Sequence, residues 1–348
     1  MKNESLSEEI RKLQLTGRSS YVISLPKQWV LNLNLKPGEQ IAVKKLDDSS
    51  LLLVPRKKLG RKETKEITAT VPQTEDPNAV ARRLISLYLV GYEIVHVKAR
   101  NTALSPLLRS TIRDTVRKKL IGTEIIAENP DTITLQVLLS YPELSIENAM
   151  RRMATIASFM HIDADLALRD FNKDLARSVI DSDDEVDRFN LYIIRQLKAA
   201  VQDQRAIKDM GLTNPRECLG YRLAAEIVER VADYAVAIAK NVLLMEKPAS
   251  ERIYRKIFEL NSLGNKLFED SMSALFKRDY NLAENVIKRV TKNLGLEEDI
   301  ANMILNLDLS AKETSTLRLI LESSRRIIEY AEDVAEVTLN RTVEQATS

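Results

Sequence analysis

The sequence predicts a multidomain protein in which a domain of short β-strands and a small α/β domain precede a long all-helical region. Three observations lead to this fold class. Short apolar stretches separated by turn residues fill residues 8–56, strand-like and helix-like patterns alternate over residues 66–141, and apolar residues recur at helical spacing over residues 143–344. A chain of 348 residues is long enough for two or three such domains.

The composition limits the classes of protein to which the chain can belong. Hydrophobic residues make up 44% of the chain, which is enough for well-buried cores, and aromatic residues only 5%. The only cysteine, Cys218, excludes a disulfide framework and any zinc site of several cysteines, and it is typical of a reducing compartment. We expect a cytoplasmic protein without membrane insertion, because the sequence has no signal-peptide-like stretch and no apolar run of about 18 residues.

The net charge of +2 conceals a gradient along the chain. Residues 1–65 carry 14 Lys or Arg and 7 Asp or Glu, so the remaining chain is net acidic. A basic N-terminal domain on an acidic body indicates that this domain faces an anionic partner.

Residues 8–56 show the pattern of short strands joined by tight turns. We expect a strand over Arg11–Leu15, a turn over Thr16–Ser19, an extended stretch over Tyr21–Leu25, a short helix over Lys27–Leu33, and a hairpin of residues 40–44 and 51–54. So few residues form only a thin core, and such a unit usually needs a partner chain for stability.

These residues resemble the swapped-hairpin DNA-binding domain of the AbrB-like transition-state regulators. The resemblance rests on Arg11-Lys12, Thr16-Gly-Arg18, Leu25-Pro26 and Leu35-x-Pro-Gly-Glu39. It implies that two chains interlock their hairpins in a homodimer, and that Arg11, Lys12 and Arg18 contact DNA, with Lys27 a weaker candidate. The short helix carries one cation where the family often has several, so a domain that only dimerises the chain is the alternative.

Residues 66–141 predict a small two-layer α/β sheet. Strands are expected near 66–71, 92–98, 125–127 and 132–137, and helices near 77–89 and 104–120. The order βαβαββ is ferredoxin-like or close to it. No glycine-rich phosphate loop follows any of these strands, so the sequence does not support nucleotide hydrolysis.

Residues 143–344 contain an imperfect internal repeat. Ile227, Glu229, Asp233 and Ala235 recur 100 positions later as Ile327, Glu329, Asp333 and Ala335, and Leu175–Ile180 resembles 282–287. The repeat predicts two three-helix bundles, over residues 143–246 and 249–344. The expected helices span about residues 145–170, 173–208, 214–245, 249–277, 281–305 and 309–343.

Three pairs of acidic residues within these helices are the main candidates for a site. They are Asp183/Asp187, Glu229/Asp233 and Glu329/Asp333. Residues four apart project from the same face of a helix, where two like charges repel and a cation held between them would be stabilised. A solvated acidic face is the alternative reading of any single pair.

The same segments resemble the PhoU family of phosphate-uptake regulators. The likeness rests on Leu175-Ala-x-x-Val-Ile-x-x-Asp183-x-x-x-Asp187, Glu229-Arg-Val-Ala-Asp233 and Glu329-Tyr-Ala-Glu-Asp333. With the N-terminal domain, the combination is similar to archaeal-type PhoU homologues. The resemblance implies that these carboxylates bind a multinuclear metal cluster.

The ligand types narrow the metal without identifying it. Carboxylates without a nearby thiol favour iron, Mn²⁺, Mg²⁺ or Ca²⁺, and Zn²⁺ stays compatible. Asp183 and Asp187 align with Val290 and Leu294 in the second bundle, so we expect the first bundle to hold the stronger or the only site. His161, four residues before Asp165, is read as structural.

The sequence therefore predicts a regulator rather than an enzyme, since no Ser/His/Asp or Cys/His arrangement and no nucleotide fingerprint is found. We expect a homodimeric, DNA-binding regulator of phosphate homeostasis with a metal-binding body. By resemblance, its partner is the ATPase of the phosphate ABC transporter or a signalling protein. The alternative is an adaptor that does not bind DNA and regulates the transporter by protein contact.

Overall fold

The computed structural model describes residues 9–17, 19–45, 49–58, 64–72, 74–139, 144–202, 207, 210, 212, 214–293 and 295–346. The chain divides into two compact units, Met1–Glu63 and Thr64–Ser348. The β-rich N-terminus, the small mixed sheet and the large helical region expected from the sequence are all present, so the predicted fold class is confirmed.

The N-terminal unit consists of two antiparallel hairpins around a short helix. Its elements are β1 (Gln14–Thr16), β2 (Ser20–Val22), α1 (Lys27–Asn32), β3 (Ile41–Lys45) and β4 (Leu51–Pro55). The β1–β2 and β3–β4 pairs form separate two-stranded sheets. The prediction of a first strand over Arg11–Leu15 was wrong at its start, because Arg11 and Lys12 lie in irregular chain before β1. Ile10 and Leu13, the apolar residues beside them, are largely exposed and give little packing to support a strand.

The second unit begins with a four-stranded mixed sheet and two helices. Its elements are β5 (Glu66–Val71), α2 (Pro77–Val90), β6 (Ile94–Ala99), α3 (Pro106–Lys119), β7 (Thr123–Glu128) and β8 (Thr132–Val137). The order β5-β6-β8-β7 places the parallel strands β5 and β6 side by side, whereas a ferredoxin-like sheet separates such strands by another strand. The order βαβαββ of the elements is as predicted. The sheet does not have the ferredoxin-like connectivity that was expected.

The helical region follows, and its described residues form seven helices. They are α4 (Ile146–Arg169), α5 (Lys173–Gln202), α6 (Glu217–Leu244), α7 (Glu251–Lys277), α8 (Tyr280–Lys292), α9 (Leu296–Leu305) and α10 (Ala311–Ala346). The single helix expected over 281–305 is two helices, α8 and α9. Asn293 ends α8 and Gly295 precedes α9, and both residue types have low helix propensity.

One continuous apolar core joins the two bundles. Helices α4, α5 and α6 pack together, α10 packs on α7 and α8, and α6 and α10 contact each other across the bundles. The core extends from Ile146 on α4 to Val337 on α10. The first bundle also packs against the α/β layer, because α2 and α3 both contact α5. Within the described residues, no helix is long and apolar enough to cross a membrane.

Candidate functional site: an acidic cluster between two helices

Two of the predicted acidic pairs lie together at the contact between α5 and α6. Burial raises the pKa of Asp183 to about 6, and the charges of Asp187 and Asp233 add to this effect. Burial likewise raises the pKa of Glu229 to about 7, with further contributions from Asp233 and Asp187. These contributions indicate that Asp187 and Asp233 lie near both Asp183 and Glu229 across the helix contact. We call these four residues the acidic cluster.

Two oxygens of the acidic cluster have no hydrogen-bond donor. Asp183 Oδ1 and Glu229 Oε2 are buried and accept no hydrogen bond. Arg230 of α6 lies 3.9 Å from Glu229 Oε2 and 3.5 Å from Asp233 Oδ2, so its contacts are long. A buried carboxylate oxygen without a donor is costly, and a bound cation would remove that cost.

A lysine of the α/β layer reaches the edge of the acidic cluster. Lys119, the last residue of α3, donates from Nζ to Asp187 Oδ2 at 2.6 Å and to Asp184 Oδ1 at 2.7 Å. Burial alone would lower the pKa of Lys119, but these two hydrogen bonds outweigh it and the pKa is raised. No local signal could identify Lys119, because its role depends on the packing of α3 on α5.

The acidic cluster has ligands that suit a metal, but it is not a formed coordination shell. Its oxygens are the hard ligands that Mg²⁺, Ca²⁺, Mn²⁺ and iron accept, and two of them lack donors. Within the described residues, no group of three or more His, Cys, Asp or Glu side chains is placed so that it could hold a metal ion. Metal binding by Asp183, Asp187, Glu229 and Asp233 therefore stays a prediction.

The third acidic pair has a different environment on α10. Glu329 forms ion pairs with Arg325 and with Arg326, whose Nη1 lies 3.0 Å from Glu329 Oε2. Burial raises the pKa of Asp333, and the nearby charges of Glu336 and Glu329 add to it. In the repeat, the position equivalent to Asp183 is Val290, which is buried in the core. The position equivalent to Asp187 is Leu294, which lies outside the described residues. Arginines thus already neutralise Glu329.

The predicted DNA contacts fall in the N-terminal unit, in two different settings. Arg11 and Lys12 are exposed and precede β1, and Arg11 forms an ion pair with Glu9. Lys27 is exposed at the first position of α1. Arg18 lies outside the described residues. The structure therefore places three of the four cations on the surface, and the DNA contact itself stays a prediction.

His161 bridges α4 and α7 inside the helical region. Its Nε2 lies 3.3 Å from Asn261 Oδ1, and Asn261 donates from Nδ2 to Asp165 Oδ1 at 2.7 Å. Burial lowers the pKa of His161 to about 4, so the ring is neutral at neutral pH. These contacts match the structural reading of His161.

Comparison with known families finds two domain matches in the chain. Residues 150–242 match the PhoU domain, and residues 14–68 match the antidote-toxin recognition domain of MazE, a bacterial antitoxin. The PhoU match includes both acidic pairs of the acidic cluster. The chain thus carries a PhoU domain and, before it, a MazE/AbrB-like domain.

A curated protein and two crystal structures resemble part of this chain. The phosphate-specific transport system accessory protein PhoU homolog of Clostridium acetobutylicum is 24% identical over 162 residues, which are 47% of this chain and 73% of that protein. The phosphate transport system regulatory protein PhoU of Streptococcus pneumoniae aligns with a TM-score of 0.50 and 18% identity, over 58% of this chain and 94% of that one. PhoU of Pseudomonas aeruginosa aligns with a TM-score of 0.51 and 20% identity, over 57% of this chain and 96% of that one. The two structures show that the helical fold is shared.

Proposed function

We propose that this chain, with a PhoU domain behind a MazE-type N-terminal domain, is a DNA-binding regulator of phosphate transport. The match of residues 150–242 to the PhoU domain carries the proposal, because it contains the acidic cluster. The relative from Clostridium acetobutylicum is named as an accessory protein of a phosphate-specific transport system, which supports phosphate transport as the process. The proposed role is regulatory rather than catalytic.

The helical region supplies the metal-binding part of the proposal. Asp183, Asp187, Glu229 and Asp233 would hold a hard or borderline cation, such as iron, Mn²⁺, Mg²⁺, Ca²⁺ or Zn²⁺. The cation would provide the positive charge that the buried oxygens of Asp183 and Glu229 lack. Glu329 and Asp333 are the weaker candidates for metal ligands, since Arg325 and Arg326 already form ion pairs with Glu329.

The N-terminal unit supplies the DNA-binding part, and we propose that it acts as a homodimer. Both hairpins carry large apolar side chains on the surface, including Tyr21 with 70% of its area exposed and Leu51 with 63%. So much exposed apolar surface on a small unit favours a homodimer in which a second copy of the chain buries these side chains. Arg11, Lys12, Arg18 and Lys27 would then contact phosphates or bases of DNA.

A second candidate function is an adaptor without DNA binding. Two observations favour it: Arg11 is paired with Glu9, and α1 carries a single cation, Lys27. In this case the N-terminal unit only dimerises the chain. Regulation would then proceed by protein contact with the ATPase of the phosphate ABC transporter, which is also the proposed partner of the DNA-binding form.

Two measurements, made one after the other, distinguish the DNA-binding regulator from the adaptor. Genome-wide occupancy in phosphate-rich and phosphate-starved cells identifies the bound sites, and fluorescence anisotropy on one such site gives the affinity over a range of salt concentrations. For the DNA-binding regulator, Arg11→Ala and Lys12→Ala should each weaken binding and reduce the salt slope by about one. Lys36→Ala is the matched control, since Lys36 is an exposed lysine of the same unit. Absence of binding near physiological salt would establish the adaptor instead.

A further inference from the structure

A polar pocket lies at the start of α6, far from the junction of this helix with α7. It is formed by the start of α6, the end of α7 and the last turns of α10, and has a volume of about 510 Å³. Glu217 at the start of α6 is 12 residues before Glu229, which corresponds to about 18 Å along a helix. The pocket is therefore a site separate from the acidic cluster.

The most unusual side chain of this pocket is Arg341 on α10. Only 8% of its side chain is exposed, and its guanidinium carbon lies 4.4 Å from the ring centroid of Tyr221. Its Nη2 lies 3.4 Å from Glu217 Oε1, whereas Nε and Nη1 are buried and have no acceptor. Buried charged donors without acceptors are strongly unfavourable, so this arrangement favours an additional anion beside Arg341.

The charges around Arg341 have the sign that an anion requires. Arg216, which is exposed before α6, and Arg278, which ends α7, also line the pocket. Arg278 lies 3.0 Å from Glu217 Oε1, so this one carboxylate is shared between Arg278 and Arg341. Among the described residues that line the pocket, three guanidinium groups thus stand against a single carboxylate.

The lack of a side chain at Gly220 permits this arrangement. A Cβ at this position would lie 2.8 Å from Arg341 Cδ, closer than such atoms approach in proteins. The glycine therefore lets the arginine side chain pass against the backbone of α6. Its helical position carries a cost of about 1 kcal/mol relative to alanine, which the close approach of Arg341 explains.

We propose that this pocket binds the phosphate group of a small organic phosphate. Guanidinium groups match the oxygens of a phosphate through paired N–H donors, and Arg341 offers two N–H groups that lack acceptors. The volume suits a small organic ligand and is larger than a bare phosphate ion needs. Leu219 and Leu223 line the same pocket with 73% and 52% of their areas exposed, and they provide an apolar surface for the organic part.

The proposal is tested by calorimetric titration of the full chain with adenosine 5′-monophosphate, glycerol 3-phosphate and inorganic phosphate at constant ionic strength. We expect at least one organic phosphate to bind more tightly than inorganic phosphate. Arg341→Lys, which keeps the charge but loses the fork of donors, should weaken this binding roughly tenfold. Arg216→Gln changes an exposed side chain and should weaken it several-fold, which keeps the test valid if Arg341→Lys fails to fold.

Arg222→Gln is the matched control on the same helix, since Arg222 pairs with Glu226 and does not line the pocket. Its affinity should equal that of the wild type. Equal affinity for inorganic and organic phosphate, abolished by Arg216→Gln, would identify free phosphate as the ligand source. The proposal is overturned if none of the three compounds binds at millimolar concentration, or if binding survives unchanged in the Arg216 and Arg341 variants. Either failure leaves the acidic cluster and the DNA-binding proposal untouched.

Discussion

Lys119 Nζ lies 2.6 Å from Asp187 Oδ2, so an ammonium group from the α/β layer binds a carboxylate that belongs to the acidic cluster of the helical region. The same ammonium also binds Asp184. A lysine in this position neutralises part of the charge that a metal ion would otherwise neutralise. Lys119 and the metal should therefore compete for Asp187, and the contact between α3 and α5 should depend on metal occupancy.

Replacing Lys119 by glutamine should strengthen divalent metal binding. The variant Lys119→Gln removes one positive charge beside Asp187, and we expect roughly fivefold tighter Mn²⁺ binding, which corresponds to about 1 kcal/mol for a partly exposed pair. Equilibrium titration of metal-free protein, followed by electron paramagnetic resonance of free Mn²⁺, gives the affinity.

Lys118→Gln is the matched control for this change. Lys118 is more exposed than Lys119 and its contact with Asp184 is longer, at 3.8 Å, so its removal should alter the affinity far less. An equal effect of both variants would point to a general change in charge. Weaker binding in Lys119→Gln would contradict the competition between Lys119 and the metal.

The double variant Asp187→Asn/Asp233→Asn should lose bound metal. It removes one charge from each helix of the acidic cluster, while the amides keep the size of both side chains. Metal content after purification and dialysis, measured by inductively coupled plasma mass spectrometry, should fall to the background. The double variant Glu329→Gln/Asp333→Asn serves as the control, because Arg325 and Arg326 already neutralise Glu329, and it should retain most of the metal. Unchanged content in the first variant would remove the metal hypothesis.

Local patterns predicted the helices and hairpins well because their causes are local. Met150, Met153 and Ala157 recur at helical spacing and are all buried on α4, and the hairpin of β3 and β4 is formed by two short apolar runs that polar residues separate. The acidic pairs on α5 and α6 could also be found from their four-residue spacing. The start of β1 and the break between α8 and α9 were missed, since end effects and single residues of low propensity decide them.

The contacts that define each site depend on tertiary packing, which the sequence does not reveal. Lys119 is 65 residues from Asp184 along the chain, and Arg341 is 124 residues from Glu217. Neither pair has a fixed spacing or motif. Gly220 became informative only when Arg341 was found against it. Sequence reasoning thus found the ligands of the acidic cluster but not the cations that surround these carboxylates.

The turn after α3 should be sensitive to any side chain at Gly122. This residue has φ +71°, and an added Cβ would overlap Leu139 Cβ and lie 3.3 Å from Leu139 Cα. Gly122→Ala should therefore lower the free energy of unfolding by roughly 3 kcal/mol, from backbone strain and steric overlap together. Gly91→Ala is the control: Gly91 has φ +100° but open space around it, so only strain of about 1 kcal/mol is expected. Urea denaturation measures both. Similar losses in the two variants would show that the overlap with Leu139 relaxes freely.

The contribution of His161 to the stability of the helical region should fall as the pH drops below about 6.5, whereas the raised pKa values of Asp183 and Glu229 act in the opposite direction. Burial lowers the pKa of His161 from 6.5 to about 4 in the folded chain. The unfolded chain therefore takes up the proton first, so the stabilisation is complete above about pH 6.5 and is lost progressively as the pH falls toward 4. At pH 5 this one group should cost about 2 kcal/mol of unfolding free energy.

A variant without a titratable ring isolates this effect of His161 from the other groups. Asp165, which shares Asn261 with His161, has a pKa raised by burial, so its protonation at low pH acts in the opposite direction. His161→Gln keeps an amide donor for Asn261 and leaves Asp165 in place. Urea denaturation of both proteins at several pH values between 7.5 and 5 gives the difference in slope. The wild type should lose about 2 kcal/mol more than the variant over this range, since all other titrations cancel. Parallel curves would mean that His161 takes up its proton in the folded chain as readily as in the unfolded chain, and its buried contact with Asn261 would then not hold the ring neutral.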